Sequence, residues 1–396
     1  MRVLIVTKIF PNRAEPSSSP FNRQQFAALS RYCEVQVLAT IPWFPAAAAF
    51  RRWSSVASLA DVPSSESIDG LRVQHPRFIF LPKIGHAIAG PLYAASLAPT
   101  TLRYRGRVDV VLGSWAYPDG FAAVVLARLL GVPAVIKLHG SDINVVAHWP
   151  GPRRCLKWAL PRAERVVAVS APLGEAARAL GVARERINIV PNGIDRSSFK
   201  PRDRAQARRL LGLPTDVPML LYVGHITKPK GAFDLVAAFL SAQPRLGGAR
   251  LVMVGDGAGF DECRDLARAS GDAISFVGAQ PHERIPDWLA ACDVLALPSW
   301  NEGMPNVVLE ALASGRRVVA TRVGGIPDVV TDELGILVPP RDPLALARAL
   351  EAALGTRYDP LLVSAALERP DWDGSARLLH GSLLSALASR ATREAA

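Results

Sequence analysis

The sequence predicts an α/β protein built from two doubly wound domains, each with a parallel sheet covered by helices. Short runs of β-branched and other apolar residues recur with helical segments between them, which is typical of successive βαβ units. The first series of runs covers 3–6, 35–39, 108–112, 134–138, 166–169 and 187–190. The pattern restarts in a second series at 220–223, 251–254, 274–277, 294–297 and 318–320. A chain of 396 residues also exceeds the usual size of one hydrophobic core, so two domains are expected.

The domain limits follow from the polar stretch between the two series. Residues 196–218 combine several arginines with Gly212, Pro214 and Pro218, a composition typical of a linker with one short helix. We therefore expect a first domain over 1–195, a second over 196–370, and a C-terminal amphipathic helix over 371–396. This helix needs a packing partner, and a return to the first domain is one arrangement that provides it.

Composition restricts the class of protein. The chain is 49% hydrophobic and 20% charged, as in ordinary globular proteins. Its four cysteines lie far apart without a CxxC pair, which favours reduced thiols and a cytoplasmic location. The opening apolar run is too short for a signal peptide, and no uncharged apolar stretch is long enough for a membrane span, so we expect neither.

The charge balance favours anionic partners. Lys plus Arg exceed Asp plus Glu by 46 − 35 = 11, which suits phosphorylated substrates, acidic lipid surfaces or nucleic acid, although solvated helix faces would also account for it. No aromatic RNA-binding motif or helix-turn-helix pattern occurs, so no nucleic-acid partner is expected. The stretch 42–59 mixes Trp43 and Trp53 with Arg51 and Arg52. It indicates either peripheral contact with the inner membrane face or a surface helix with buried aromatic residues.

The most informative segment is 296–315. It predicts the end of a strand, a loop that carries Glu302, and a helix that begins near Pro305 and closes at Gly315. The amino end of this helix would lie at the carboxyl edge of the sheet, where its free N–H groups and dipole suit a diphosphate. Glu310 lies about five residues into the helix, roughly 7 Å along its axis, so one carboxylate could reach a sugar and the other a ribose. Without further context, a helix charge and an incidental acid would be the simpler explanation.

The segment resembles the Glu-x7-Glu signature of glycosyltransferase family 4, a group of retaining enzymes with the GT-B fold. The match includes Pro298-Ser299, Glu302-Gly303, Pro305-Asn306 and the continuation 310–315. Further blocks resemble the family in order and spacing at 191–195, 222–231, 254–257, 276–278, 319–330 and 335–339. The resemblance covers most of residues 135–340, which makes it far more specific than any single motif.

The resemblance implies two Rossmann-like domains that face each other across a cleft, with the nucleotide-sugar donor in the second. Lys230 would set an ammonium against the donor diphosphate, Glu302 would position the transferred sugar, and Glu310 would bind the ribose. His139 would approach the donor sugar from the first domain, so Lys230, Glu302 and His139 form the expected catalytic set. The residues expected to contact the donor are Gly224, His225, Lys230, Val277, Gly278, Glu302, Gly303, Met304, Pro305, Asn306 and Glu310.

The sequence departs from the family pattern at two places. His225 stands where the family commonly has arginine, and the loop 10–21 lacks the usual glycines. A neutral imidazole supplies little charge, so His225 is either a weaker phosphate ligand or a polar loop residue. Lys230 and His139 could likewise be an ordinary surface lysine and a structural histidine.

The function implied by the resemblance is transfer of a hexosyl unit from a UDP- or GDP-linked sugar to a glycan or lipid-linked acceptor in cell-surface polysaccharide synthesis. We expect no cofactor and no metal, because Asp371-Trp-Asp373 lies at the entrance to the last helix and is interpreted as a helix cap. Two alternatives stay open. One is a nucleotide-sugar epimerase on the same scaffold, and the other is a non-catalytic basic protein that binds membrane surfaces.

Overall fold

The computed structural model describes residues 1–16, 18–43, 59, 61–79 and 88–395. The chain divides into two compact units, Met1–Gly193 together with Trp372–Ala396, and Ile194–Asp371. Ser17, residues 44–58, 60 and 80–87, and Ala396 lie outside the described residues. Most of the stretch 42–59 that was predicted to contact the membrane, including Arg51, Arg52 and Trp53, is therefore not described. No helix in the described ranges is long and apolar enough to cross a membrane.

The first unit is built on a mainly parallel sheet. Its strands are β1 Arg2–Thr7, β2 Glu34–Ala39, β3 Ile41–Trp43, β4 Ser65–Ile68, β5 Leu71–Gln74, β6 Arg77–Ile79, β7 Val110–Ser114, β8 Ala134–Leu138, β9 Arg165–Ala168 and β10 Ile187–Ile189. Its helices up to this point of the chain are α1 Pro20–Leu29, α2 Ala89–Leu102, α3 Phe121–Leu130, α4 Ser141–Asn144, α5 Pro150–Ala159 and α6 Ala171–Ala179. Eight described strands form one sheet in the order β10-β9-β8-β7-β1-β2-β5-β4, in which β4 runs antiparallel to β5. The described strands β3 and β6 pair with each other.

The second unit is a six-stranded parallel sheet within the described residues. Its strands are β11 Met219–Val223, β12 Arg250–Val254, β13 Ile274–Gly278, β14 Val294–Leu297, β15 Arg317–Thr321 and β16 Gly335–Val338. Its helices are α7 Arg204–Leu210, α8 Ala232–Ala242, α9 Phe260–Ala267, α10 Ile285–Ala291, α11 Asn306–Ala313, α12 Pro343–Gly355 and α13 Pro360–Ala366. The strand order β13-β12-β11-β14-β15-β16 is that of a dinucleotide-binding Rossmann fold. The order reverses between β11 and β14, and ligands of such sheets bind at the carboxyl ends of the two strands beside the reversal.

The last helix, α14 (Trp372–Ala395), packs on α1 of the first unit. Its buried residues Ala376, Leu379, Leu383 and Ala386 join the core beneath the first sheet. A buried polar contact adds direction to this packing, because Gln25 donates to the Ser375 hydroxyl over 2.8 Å.

The strands predicted from the apolar runs are confirmed, since each run corresponds to a strand whose ends differ by at most two residues. The β4–β5 hairpin was not predicted, because its first strand is polar and half exposed. The Asp69-Gly70 pair at its turn is nevertheless typical of a β-hairpin. Asp69 and Gly70 have φ of 50° and 78°, the two positive angles that a type I′ hairpin turn requires.

Candidate active site

The candidate site of the second unit lies where its strand order reverses. Loops after β11 and β14 leave the carboxyl edge of the sheet side by side, because these two parallel strands are neighbours. The first loop continues into a 3-10 turn, Lys228–Lys230, directly before α8. The second loop leads to α11. Lys230 therefore lies in the turn that directly precedes α8.

Three contacts hold the two loops together. The Lys230 ammonium donates to Glu302 Oε1 over 2.7 Å, with side-chain exposures of 35% and 10%. The backbone N–H of Trp300 donates to the Pro229 carbonyl over 2.9 Å. Gly231 has φ of 69°, and a Cβ there would lie 2.0 Å from the carbonyl oxygen of Pro298. The close approach that sets Lys230 beside Glu302 thus requires glycine at position 231.

The amino end of α11 completes this edge. Pro305 directly precedes the helix and its side chain does not cap it, and the first-turn N–H groups are directed out of the amino end of the helix. Met304 is buried and anchors the loop from below. Asn306 begins the helix, one residue later than expected, and Gly315 follows its last turn with φ of 73°.

Two glycines after β15, Gly324 and Gly325, support the loop that carries Glu302. Gly325 donates its N–H to the Gly303 carbonyl over 2.7 Å. Gly324 has φ of 54°, and a Cβ there would lie 2.1 Å from the Glu302 carbonyl oxygen. The sequence motif that follows β15 therefore shapes the site through its backbone.

Glu310 has a partner that the sequence did not reveal. Its Oε1 lies 3.0 Å from His282 Nε2, and the two side chains are 14% and 24% exposed. Burial alone would lower the pKa of His282, but the hydrogen bond and charge of Glu310, aided by Glu283 and Asp195, raise it above its usual value. The imidazole also packs against the ring of Phe199, with centroids 5.5 Å apart.

Two other residues of the first loop that were predicted to contact the donor, Gly224 and His225, make backbone hydrogen bonds. Gly224 donates its N–H to the Val254 carbonyl over 3.0 Å. The His225 side chain is exposed, while its carbonyl accepts from the buried Tyr222 hydroxyl over 2.7 Å. His225 is thus oriented by its backbone, and its ring projects to the surface.

The loop after β13 is also braced internally. The Val277 carbonyl accepts from the Gln280 side chain over 3.2 Å. Gly278 has φ of 72° and accepts the Gly255 N–H over 2.9 Å. Both residues lie at the carboxyl end of β13.

His139 belongs to the first unit, at the carboxyl end of β8. Its ring packs against Phe21 and Trp115, with centroids 5.2 and 5.7 Å away. Nε2 lies 3.0 Å from the Ser114 hydroxyl. Burial, together with the charge of Lys137, lowers the pKa of His139 well below its usual value, so the ring is neutral near pH 7.

Two buried carboxylates at this edge were not singled out from the sequence. Asp142 accepts the backbone N–H groups of Ala116, His139 and Gly140 and so fixes the turn that presents His139. Asp119 accepts the backbone N–H of Lys8 over 3.0 Å, and burial raises its pKa to about 7. The sequence alone does not single out Asp119 and Asp142, because nothing in their spacing indicates that they are buried.

The chemistry available in the second unit is that of an anion site flanked by carboxylates. An ammonium and the amino end of a helix suit a diphosphate, and carboxylate oxygens accept hydrogen bonds from sugar and ribose hydroxyls. With its two Rossmann-like units, the chain has the architecture of a GT-B glycosyltransferase.

The family follows from the comparisons. Residues 217–356 match the family model "Glycosyl transferases group 1", and residues 27–198 match "Glycosyltransferase Family 4". The chain belongs to glycosyltransferase family 4, which confirms the resemblance seen in the sequence. This membership decides against the epimerase and the non-catalytic binding protein.

Full-length relatives agree with this assignment. The chain is 31% identical to a putative teichuronic acid biosynthesis glycosyltransferase, TuaC, of Bacillus subtilis, over 91% of this chain and 89% of the relative. It is 32% identical to a D-inositol 3-phosphate glycosyltransferase of Xylanimonas cellulosilytica, over 76% and 78% of the two chains.

Solved structures share the fold at lower identity. Anabaena HepE in complex with UDP superposes with a TM-score of 0.73 at 20% identity, over 97% of this chain and all of that chain. Sucrose-phosphate synthase from Thermosynechococcus elongatus gives 0.72 at 22% identity, over 100% and 98%. These likenesses show the GT-B fold.

Proposed function

We propose that the protein is a retaining, metal-independent glycosyltransferase that moves a hexosyl unit from a UDP- or GDP-linked sugar to a glycan or lipid-linked acceptor in cell-surface polysaccharide synthesis. The observation that carries the proposal is the Lys230–Glu302 pair beside the amino end of α11, at the strand reversal of the second sheet. No cofactor takes part.

In this proposal the main task of the site is to stabilise charge on the departing diphosphate. The bond between the anomeric carbon and the diphosphate oxygen breaks through an oxocarbenium-like transition state. Lys230 and the first-turn N–H groups of α11 hold the negative charge that develops. The acceptor hydroxyl attacks from the same face and gives its proton to the leaving phosphate, without a covalent enzyme intermediate.

The carboxylates and the histidine orient the donor. Glu302 accepts hydrogen bonds from the transferred sugar and Glu310 from the ribose, while the backbone at Val277 and Gly278 lies along the base. His139, held neutral by burial, offers the sugar an uncharged ring. This arrangement does not use Glu302 as a nucleophile.

The relatives support the donor and the pathway. TuaC is named for teichuronic acid biosynthesis, and HepE was crystallised with UDP and with UDP-glucose. A nucleotide-sugar donor and a polysaccharide product are therefore reasonable for this chain as well.

An acceptor at the inner membrane face is supported by surface chemistry. The chain carries a net charge of +11. Trp43 and Ile79, register partners on β3 and β6, are 46% and 42% exposed beside each other. An exposed tryptophan with an aliphatic neighbour is the kind of contact that peripheral proteins make with lipid headgroups. We place the enzyme in the cytoplasm, bound peripherally to anionic lipid.

The first test is a thermal-shift screen against UDP-, GDP- and ADP-sugars, followed by product analysis with the donor that binds. We expect UDP- or GDP-sugar binding, transfer that persists in EDTA, and a product with the anomeric configuration of the donor. Inversion of configuration would overturn the retaining mechanism, and loss of transfer in EDTA would overturn metal independence. Failure of every nucleotide sugar to bind would overturn the donor site itself.

The membrane arm needs a separate test. Sedimentation with vesicles that contain anionic lipid should recover the protein, and Trp43→Ser together with Ile79→Ser should reduce that recovery. Recovery of wild type that is the same on anionic and on neutral vesicles, and the same as recovery of the variant, would contradict the membrane location.

A further inference from the structure

The loop after β13 contains a histidine that the proposed mechanism does not use. His282 begins a 3-10 turn, His282–Arg284, that leads into α10. Its Nε2 lies 3.0 Å from Glu310 Oε1 on α11. A side chain from one strand-to-helix loop therefore bonds a carboxylate on a helix that follows a different strand.

The pair is shielded on one side and open on the other. Phe199 is buried and packs against the imidazole. The two polar side chains keep 24% and 14% of their surface exposed, so each is held in place while still accessible. Within the described residues, the Glu310 carboxylate makes its side-chain hydrogen bond to His282 through Oε1, and Oε2 makes none. One oxygen is thus held and the other is available to a ligand.

The charges that raise the pKa of His282 are all negative, while Arg284 in the same turn pairs with Asp287 over 3.5 Å. Glu310 faces His282 from α11, Glu283 follows it in the same turn, and Asp195 approaches from the segment before α7. This negative surround favours the imidazolium form. A protonated His282 would reduce the repulsion between Glu310 and the nearby anionic diphosphate.

We propose that His282 is a positioning residue for the nucleotide: it holds Glu310 in the orientation that accepts the ribose hydroxyls, and it offsets the carboxylate charge beside the diphosphate. This inference rests on the proposed function, because it needs a nucleotide ribose at Glu310. A free glutamate would lose rotamer freedom on binding the ribose, and a bonded one has already lost it. The ligand class that His282 selects is therefore a ribonucleoside diphosphate over its 2′-deoxy analogue.

The test measures binding of UDP, GDP and their 2′-deoxy forms by calorimetry. Wild type should bind the preferred ribonucleotide about tenfold more tightly than the deoxy form, the factor that one charge-assisted hydrogen bond supplies. Glu310→Gln and His282→Ala should each remove most of this preference by weakening the ribonucleotide. Binding of the deoxy form should change less than binding of the ribonucleotide, and its retention also shows that the variants are folded.

Two further variants separate positioning from a structural role. His282→Gln keeps a side-chain N–H donor and should restore part of the ribose preference. Glu283→Gln removes one of the charges that raise the pKa of His282 without touching Glu310, so it should keep the preference at low pH and shift the loss of preference to a lower pH. The wild-type preference should also decline as pH rises through the raised pKa of His282, above the usual imidazole range, because the ring then loses the charge that strengthens its hydrogen bond.

The binding data distinguish failure of the proposed function from failure of the role proposed for His282. If wild type binds neither UDP nor GDP, the proposed function fails. If wild type binds one of them with a ribose preference that His282→Ala leaves unchanged, the proposed function stands and the role of His282 is refuted.

Discussion

Replacing Lys230 by alanine removes the ammonium that lies 2.7 Å from Glu302 Oε1. Glu302 is 10% exposed, so the variant removes from a largely buried carboxylate one charge-assisted hydrogen bond, worth about 1.5–3 kcal/mol. The same change removes a positive group from the departing diphosphate. Loss of one such electrostatic contact typically lowers kcat by about 10²- to 10³-fold, or about 2.7–4 kcal/mol of transition-state stabilisation.

The chain offers a matched control two residues earlier. Lys228 pairs with Glu262 over 2.9 Å, but these side chains are 57% and 63% exposed, so the pair contributes about 0–1 kcal/mol. Lys228→Ala should therefore transfer sugar at close to the wild-type rate. The assay is initial-rate transfer with the donor identified by the screen, with circular dichroism to confirm folding. Near-wild-type kcat in Lys230→Ala, or an equal loss in both variants, would refute the reasoning.

Further predictions concern the backbone and the buried charge. Gly231→Ala combines a positive φ with a Cβ 2.0 Å from the Pro298 carbonyl oxygen, so it should cost about 2–3 kcal/mol or more and lower Tm by about 2–4 °C for each kcal/mol. Gly247→Ala is the control, since its φ is 60° in open space and its cost should be about 1–2 kcal/mol; equal Tm losses in calorimetry would contradict the close approach. Burial lowers the pKa of Lys137 from 10.5 to about 7, so between these pH values the unfolded chain holds a proton that the folded chain lacks. The free energy of unfolding of wild type therefore rises with pH across that window. The Tm of Lys137→Met should therefore exceed that of wild type most strongly below pH 7, and the difference should shrink as pH rises towards 10.5. A Tm difference that does not depend on pH would show that the pKa of Lys137 is not lowered in the folded protein.

Much of the scaffold could be predicted because its signals are local. The apolar runs that became β1, β11, β12, β14 and β15 are continuous because strands inside a parallel sheet are buried on both faces. The segment around Glu302 was recognisable because a strand end, a glycine, a proline and a helix occur in fixed order. These features depend on neighbours in sequence, so the sequence displays them.

The contacts that complete the site depend on residues far apart in the chain. His282 and Glu310 are 28 residues apart and meet because β13 and β14 end at the same edge of one sheet. The Lys230–Glu302 bond spans 72 residues for the same reason. The sequence predicted the segment around Glu302 at this edge, but the pairing of particular side chains follows from packing that no local pattern encodes.

The first unit shows the same limit. Asp119 and Lys137 are ordinary charged residues in the sequence, and their shifted pKa values arise from burial that only the folded sheet creates. His139 was selected for its place after a strand. Its neutral state comes from that burial as well.

The central claim is that the second unit holds a diphosphate between Lys230 and the amino end of α11. A crystal structure with bound UDP or GDP tests it most directly. We predict phosphate oxygens about 2.7–2.9 Å from Lys230 Nζ and within hydrogen-bond reach of the first-turn N–H groups of α11. A nucleotide bound at another edge of the sheet, with Lys230 still paired to Glu302 and no phosphate nearby, would contradict the account.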